Sequence, residues 1–231
     1  MRRNQVMKSH GLALRSAGEG PFDVPTLAAD VARWLDEQPE PAWVVGLSLG
    51  AMVALELALQ LPHKVQGLVL VNGFSEFLLE TPKEQERYAM RLKWLRWFGM
   101  RPLAWWLGRE LFPGPDLAQV RHTFRGRFVR NKKKTYKALL EALPGWSVRA
   151  RLGTLWQPVA IISTSHDYLP LARRVEQFAS LPNATILNAK GDSLRRRWEG
   201  NFAGASAPLV LNVLLDHLQR CSAARARKVR A

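Results

Sequence analysis

Gly46-Leu47-Ser48-Leu49-Gly50 sets a serine between two glycines, with Trp43-Val44-Val45 before it and Met52 to Ala58 after it. The apolar run reads as a buried parallel strand and the alanine- and leucine-rich run as a helix. Turning from one into the other within a few residues forces the serine into a strained backbone. The flanking glycines let strand and helix approach without Cβ clashes. A hydroxyl presented in this way, at the carboxyl end of a sheet, suits attack on a carbonyl carbon. The next amide, that of Leu49, points toward the place where an oxyanion would form. Outside a strand–turn–helix context the same five residues would be an ordinary glycine turn.

A serine hydroxyl is a poor nucleophile near neutral pH. It needs a histidine to take its proton and a carboxylate to fix that imidazole. Asp167 follows the apolar run Pro158–Ser163 and precedes Leu169-Pro170, which suits the orienting acid. Its other reading is a loop residue that caps a helix at Leu171. The chain has five histidines, and only His217 comes after Asp167. His217 falls inside a predicted helix, where a partly buried helix residue is the plainer reading. His63 follows Leu61-Pro62 at the end of the helix after Ser48, His122 lies in a basic segment, and His166 adjoins Asp167.

The elements that must position these groups come from periodicity. Asp23 reads as an N-cap with Pro25 in the first turn, and Leu27, Val31, Trp34 and Leu35 mark one face of a helix over 24–38. Residues 42–45 read as the strand before Ser48, 49–61 as the helix after it, and 66–71 as the next buried strand. Strands at 158–163 and 184–187, with a helix from Leu171 between them, resume the pattern. Residues 208–220 read as a last helix and 221–231 as a disordered basic tail. This alternation implies an α/β fold with a mostly parallel sheet flanked by helices.

Between 76 and 155 no β-type alternation appears. Six of the nine tryptophans fall between residues 94 and 156, and Tyr88, Leu92, Leu95 and Phe98 share a helical face ringed by Arg91, Lys93 and Arg96. The segment therefore reads as a helical insertion. Its aromatic face could line a substrate pocket, lie on lipid, or pack on the sheet domain.

Composition bounds the rest. A chain of 231 residues with 47% hydrophobic and 23% charged residues is globular in character. It has no apolar run long enough to span a membrane. The basic start lacks the apolar stretch of a secretory signal. A single cysteine, Cys221, excludes an internal disulfide framework and suits a reducing, cytoplasmic compartment. The net charge of +15 is concentrated: residues 87–137 hold fourteen Arg or Lys against Glu110 and Asp116, a net +12. Such a segment suits nucleic acid, an anionic membrane or solvated arginines. No nucleic-acid motif accompanies it, and an excess of arginine over lysine, 24 to 10, is also what a GC-rich genome produces.

Taken together, Ser48 at its turn, Asp167 behind a later strand and Leu68 to Asn72 resemble the α/β-hydrolase family. The likeness covers roughly residues 10–190 plus the final helix. The resemblance implies Ser48 as nucleophile, Asp167 as acid, the Leu49 amide as an oxyanion donor, and a core of 1–75 and 156–231 carrying a lid of 76–155. It implies a small ester, lactone or similar acyl substrate and no cofactor or metal. Peripheral membrane contact through the lid is compatible with it. The family order, serine then aspartate, is kept.

Two family features have no counterpart. The histidine expected near 190–196 is missing from Ala189 to Trp198, and little precedes His10-Gly11, which resembles the turn carrying the second oxyanion donor. Two accounts fit: a hydrolase whose missing parts are replaced elsewhere, or a chain with a late start and a shifted frame over about 190–207. Either way the sheet is expected to expose an edge, and catalysis is expected to be weak or absent. The rival from another class is a non-enzymatic protein that binds anions, RNA or a membrane surface through residues 87–137.

Overall fold

Asp23 caps the first helix as its sequence predicts. Its carboxylate accepts a hydrogen bond from the Thr26 amide at 2.8 Å, and α1 runs Val24–Asp36 with Pro25 in its first turn. The helix stops short of the expected 38 because the Gln38 amide turns back to the Leu35 carbonyl, 3.1 Å away. The computed structural model describes residues 10–164 and 171–189. Asp167, His166, His217, the expected last helix and the basic tail lie outside the described residues.

Strand β1, Ala42–Leu47, leads into α2, Leu49–Gln60, and then into β2, Val65–Val71. Four helices follow: α3, Pro82–Phe98; α4, Met100–Leu111; α5, Ala118–Phe128; and α6, Lys133–Ala142. Then come β3, Val159–Thr164, α7, Leu171–Gln177, and β4, Ala184–Ala189. The four strands form one parallel sheet in the order β1-β2-β3-β4. Every crossover steps the same way, so the right-handed rule puts α2 and α7 on one face.

Register explains the core. Val44, Leu68, Val159 and Ala184 form one cross-strand row, and Gly46, Leu70, Ile161 and Ile186 form the next on the same face. These rows pack with Leu27 and Leu35 of α1 and with Leu55 and Leu57 of α2 in a single cluster. On the opposite face Val69, Ala160 and Ile162 are also buried. Among the described residues β1 is an edge strand, and its Val45 is 50% exposed.

The helical segment leaves and rejoins the sheet domain at one pinch. Phe77 donates its amide to the Trp146 carbonyl and Val148 to the Ser75 carbonyl, each at 2.8 Å, around an antiparallel bridge from Glu76 to Ser147. Buried polar groups reinforce the pinch. Glu56 of α2, 2% exposed, accepts from Trp146 Nε1 at 3.1 Å and from Arg151 at 2.7 Å. Ser75 donates its hydroxyl to the Gln177 carbonyl at 2.8 Å, and Arg149 bridges Glu76 and Glu176.

Beyond the pinch, α3 to α6 have their own small core of Leu95, Leu103, Leu107 and Leu140. Three of the four residues on the predicted α3 face, Tyr88, Leu92 and Leu95, turn inward, but onto the neighbouring helices rather than the sheet, and Phe98 is 59% exposed. The helix ends at Phe98, and Gly99, at φ 77°, swings the chain away before that face can close.

Candidate active site

Ser48 adopts φ 52° and ψ −113°, one of two non-glycine residues with positive φ among those described. An L-residue accepts such a backbone only where its surroundings over-determine it. Here they do. The Ser48 amide donates to the Val71 carbonyl at 2.9 Å, which ties it to the end of β2. Its carbonyl accepts from Ala51 at 3.0 Å and from Met52 at 3.3 Å, which opens α2. The residue is thus clamped between a strand end and a helix start, as the motif predicts.

The glycines divide the work unequally, against the symmetrical expectation. A Cβ on Gly46 would overlap the Gly50 carbonyl and sit 2.6 Å from the Ala51 Cα, so strand and helix meet there only without a side chain. Gly73 plays a similar part after β2, where a Cβ would come 2.5 Å from the Ala51 Cβ. Gly50 faces open space, with nothing within 4 Å of where its Cβ would be. Its small size leaves room beside Ser48 rather than permitting the turn.

Leu49 is the first residue of α2, so its amide has no intrahelical carbonyl to meet and sits at the positive end of the helix. Alongside, Asn72 takes φ 48° and donates its amide to the Ile162 carbonyl at 2.9 Å. The carboxyl ends of β1, β2 and β3 therefore lie side by side, with Ser48 next after β1 and β3 closing at Thr164. Asp167, the predicted acid, lies outside the described residues.

Three of the histidines lie among the described residues. His10 packs its ring 5.4 Å from Trp34 of α1. His63 sits in the short 3₁₀ turn after α2, at the far end of a twelve-residue helix whose near end is Ser48; that helix is about 18 Å long. His122 lies on α5 and is exposed. At the far end of α2, His63 is too far away to relieve Ser48 of its proton. Among the described residues no group of three or more His, Cys, Asp or Glu could hold a metal, and no helix is long and apolar enough to cross a membrane.

One residue that sequence reading passed over anchors the elbow helix. Glu56 is the lone charge in the apolar stretch from Met52 to Leu59, and that isolation was the available signal of a buried partner. Its bonds to Trp146 and Arg151 hold α2 against the chain that returns from the insertion.

Comparison with known proteins agrees with this geometry. A family profile described as the alpha/beta hydrolase family matches residues 8–226. RutD of Agrobacterium fabrum, provisionally named a carbamate hydrolase, is 26% identical over 188 residues, which cover 74% of this chain and 68% of that protein. The pimeloyl-[acyl-carrier protein] methyl ester esterase of Aromatoleum aromaticum is 49% identical over 60 residues, 26% of this chain and 24% of its own length. The enol-lactonase of Burkholderia xenovorans superposes with a TM-score of 0.71 at 22% identity, covering 88% of this chain and 75% of that one. At that identity it bears on the fold alone.

Proposed function

The chain belongs to the alpha/beta hydrolase family, and from that premise we propose that it is a serine hydrolase of small esters, lactones or similar acyl compounds. The observation that carries this reading is the backbone of Ser48, a positive-φ serine clamped between the end of β2 and the start of α2. Ser48 is exposed, and positive-φ strain on a non-glycine residue gathers at reactive sites. The names of the relatives, a carbamate hydrolase and a methyl ester esterase, both describe attack on an acyl carbon.

In this mechanism Ser48 Oγ adds to the carbonyl carbon of the substrate. The Leu49 amide donates to the resulting oxyanion, helped by the positive end of α2. Collapse expels the alcohol and leaves an acyl group on Ser48, which water then releases as the acid. Asp167 is assigned the orienting carboxylate on its place after β3 in the sequence. The base is the weak link, because the sequence has no histidine where the family order calls for one. Losses of a base or an oxyanion donor cost roughly two to six powers of ten in related serine enzymes. Turnover is therefore slow. The division into a core of 1–75 and 156–231 and a helical lid of 76–155 belongs to the same proposal, supported by the pinch from Ser75 to Val148.

The test is hydrolysis of a p-nitrophenyl ester with excess enzyme, so that a slow rate is still read. The wild type is expected to release nitrophenol above the buffer rate, and Ser48→Ala to return to it. Equal rates for the two would remove Ser48 from the mechanism.

A further inference from the structure

The insertion carries exposed aromatic and cationic groups that the hydrolytic site does not use. Trp97 is 69% exposed and Phe98 59%, next to each other at the corner where α3 ends and Gly99 turns the chain into α4. These are the two most exposed large apolar side chains among the described residues. Leaving them in water costs free energy that burial in the insertion's core would recover. Their neighbours Trp94 and Trp106 stack at 6.2 Å and take part in that core; Phe98 leans on Trp94 at 5.2 Å yet, like Trp97, keeps most of its ring in solvent.

Cations frame the corner. Arg96 stands 5.7 Å from the Trp97 ring. Lys133, at the start of α6, reaches across to the Arg96 carbonyl at 3.2 Å, which brings the exposed pair Lys132 and Lys133 beside the end of α3. Arg101, the second residue of α4, is exposed. These belong to the segment 87–137 with its net charge of +12. A helix–helix corner that presents adjacent exposed tryptophan and phenylalanine beside arginine and lysine matches a bilayer surface. There the rings enter the interface and the cations meet the phosphates. A solvated basic face would not need the aromatics.

We propose that the α3–α4 corner docks the protein on anionic phospholipid membranes. Trp97 and Phe98 enter the headgroup boundary while Arg96, Arg101, Lys132 and Lys133 pair with lipid phosphates. The partner is the charged bilayer itself, and the contact is peripheral.

Vesicle flotation with the full chain tests this without any dependence on hydrolysis. One set of vesicles is phosphatidylcholine alone and the other contains about a third phosphatidylglycerol. The protein is expected to float with the anionic vesicles only, and to release as salt rises toward about 0.5 M. Ser48→Ala should float as the wild type does. The double variant Trp97→Ala/Phe98→Ala should bind at least about tenfold more weakly, and Lys132→Gln and Arg101→Gln roughly fivefold each. Circular dichroism melting curves matching the wild type confirm that these surface variants are folded. Equal flotation with neutral vesicles, no flotation, or unchanged binding by the double variant would overturn the proposal. So would a solution dimer that the double variant abolishes, since the corner would then be covered by a second copy. Salt-sensitive retention of RNA without vesicle binding would assign the charge to nucleic acid and overturn it equally.

Discussion

The turn at Ser48 and the corner at Gly99 are both places where the chain reverses direction, and they are built on opposite principles. At Ser48 every neighbour constrains the backbone: a strand carbonyl on one side, two helix amides on the other, and a Gly46 that cannot carry a Cβ. At Gly99 a positive-φ glycine makes the turn alone, with nothing within 4 Å of its missing side chain. The first site stores strain in a packed frame, as covalent chemistry requires. The second leaves large aromatic rings in solvent, as a contact surface requires. The two regions thus differ in kind, a strained backbone in one and exposed aromatic surface in the other.

That contrast can be broken in order of size. Glu56→Ala should cost about 3 kcal/mol, because the buried Trp146 Nε1 loses its acceptor and a cavity opens beside α2, while the half-exposed Arg151 turns to water. Urea unfolding measures this, and a loss below about 1 kcal/mol would show that α2 does not depend on the returning chain. Gly46→Val should follow at about 3 kcal/mol, since the new side chain collides with the Gly50 and Ala51 backbone. Gly50→Ala should stay within about 1 kcal/mol of the wild type, or gain slightly as alanine favours the helix. If the two glycines proved equally sensitive, the unequal packing described for the elbow would be wrong.

The smallest effect belongs to the insertion. Thr81 and Glu84 form a capping box at the start of α3, with Thr81 Oγ1 accepting from the Glu84 amide at 3.2 Å and Glu84 accepting from the Thr81 amide at 2.9 Å. Thr81→Ala should cost about 1 kcal/mol. The backbone hydrogen bond from Thr81 holds the Glu84 carboxyl below the ordinary carboxylate range. A depressed carboxylate lends stability above its unfolded value and withdraws it as pH falls through the folded one. Glu84→Gln should therefore flatten the acid limb of the stability profile by lowering stability slightly at neutral pH while leaving the acid end nearly unchanged.

Much of the sheet domain was legible because its signals are local. Asp23 capped where a cap was expected, and the strands and helices of the core start within a residue or so of their apolar runs. Ser48 was legible for the same reason, since G-x-S-x-G between a strand and a helix admits few backbones. The differing roles of Gly46 and Gly50 were not, because they depend on how close α2 approaches β1. Nor was the direction of the α3 face, which is set by packing among helices far apart in sequence. Glu56 escaped notice because its partners lie about ninety residues downstream.

The central claim is that Ser48 is a reactive nucleophile. Incubation with a fluorophosphonate, followed by peptide mapping, tests it most directly because it reads a single bond formed at one atom. The account predicts a phosphonyl adduct on Ser48 in the wild type, formed slowly, and none anywhere in Ser48→Ala. No adduct after prolonged incubation, or equal modification of the alanine variant, would contradict it.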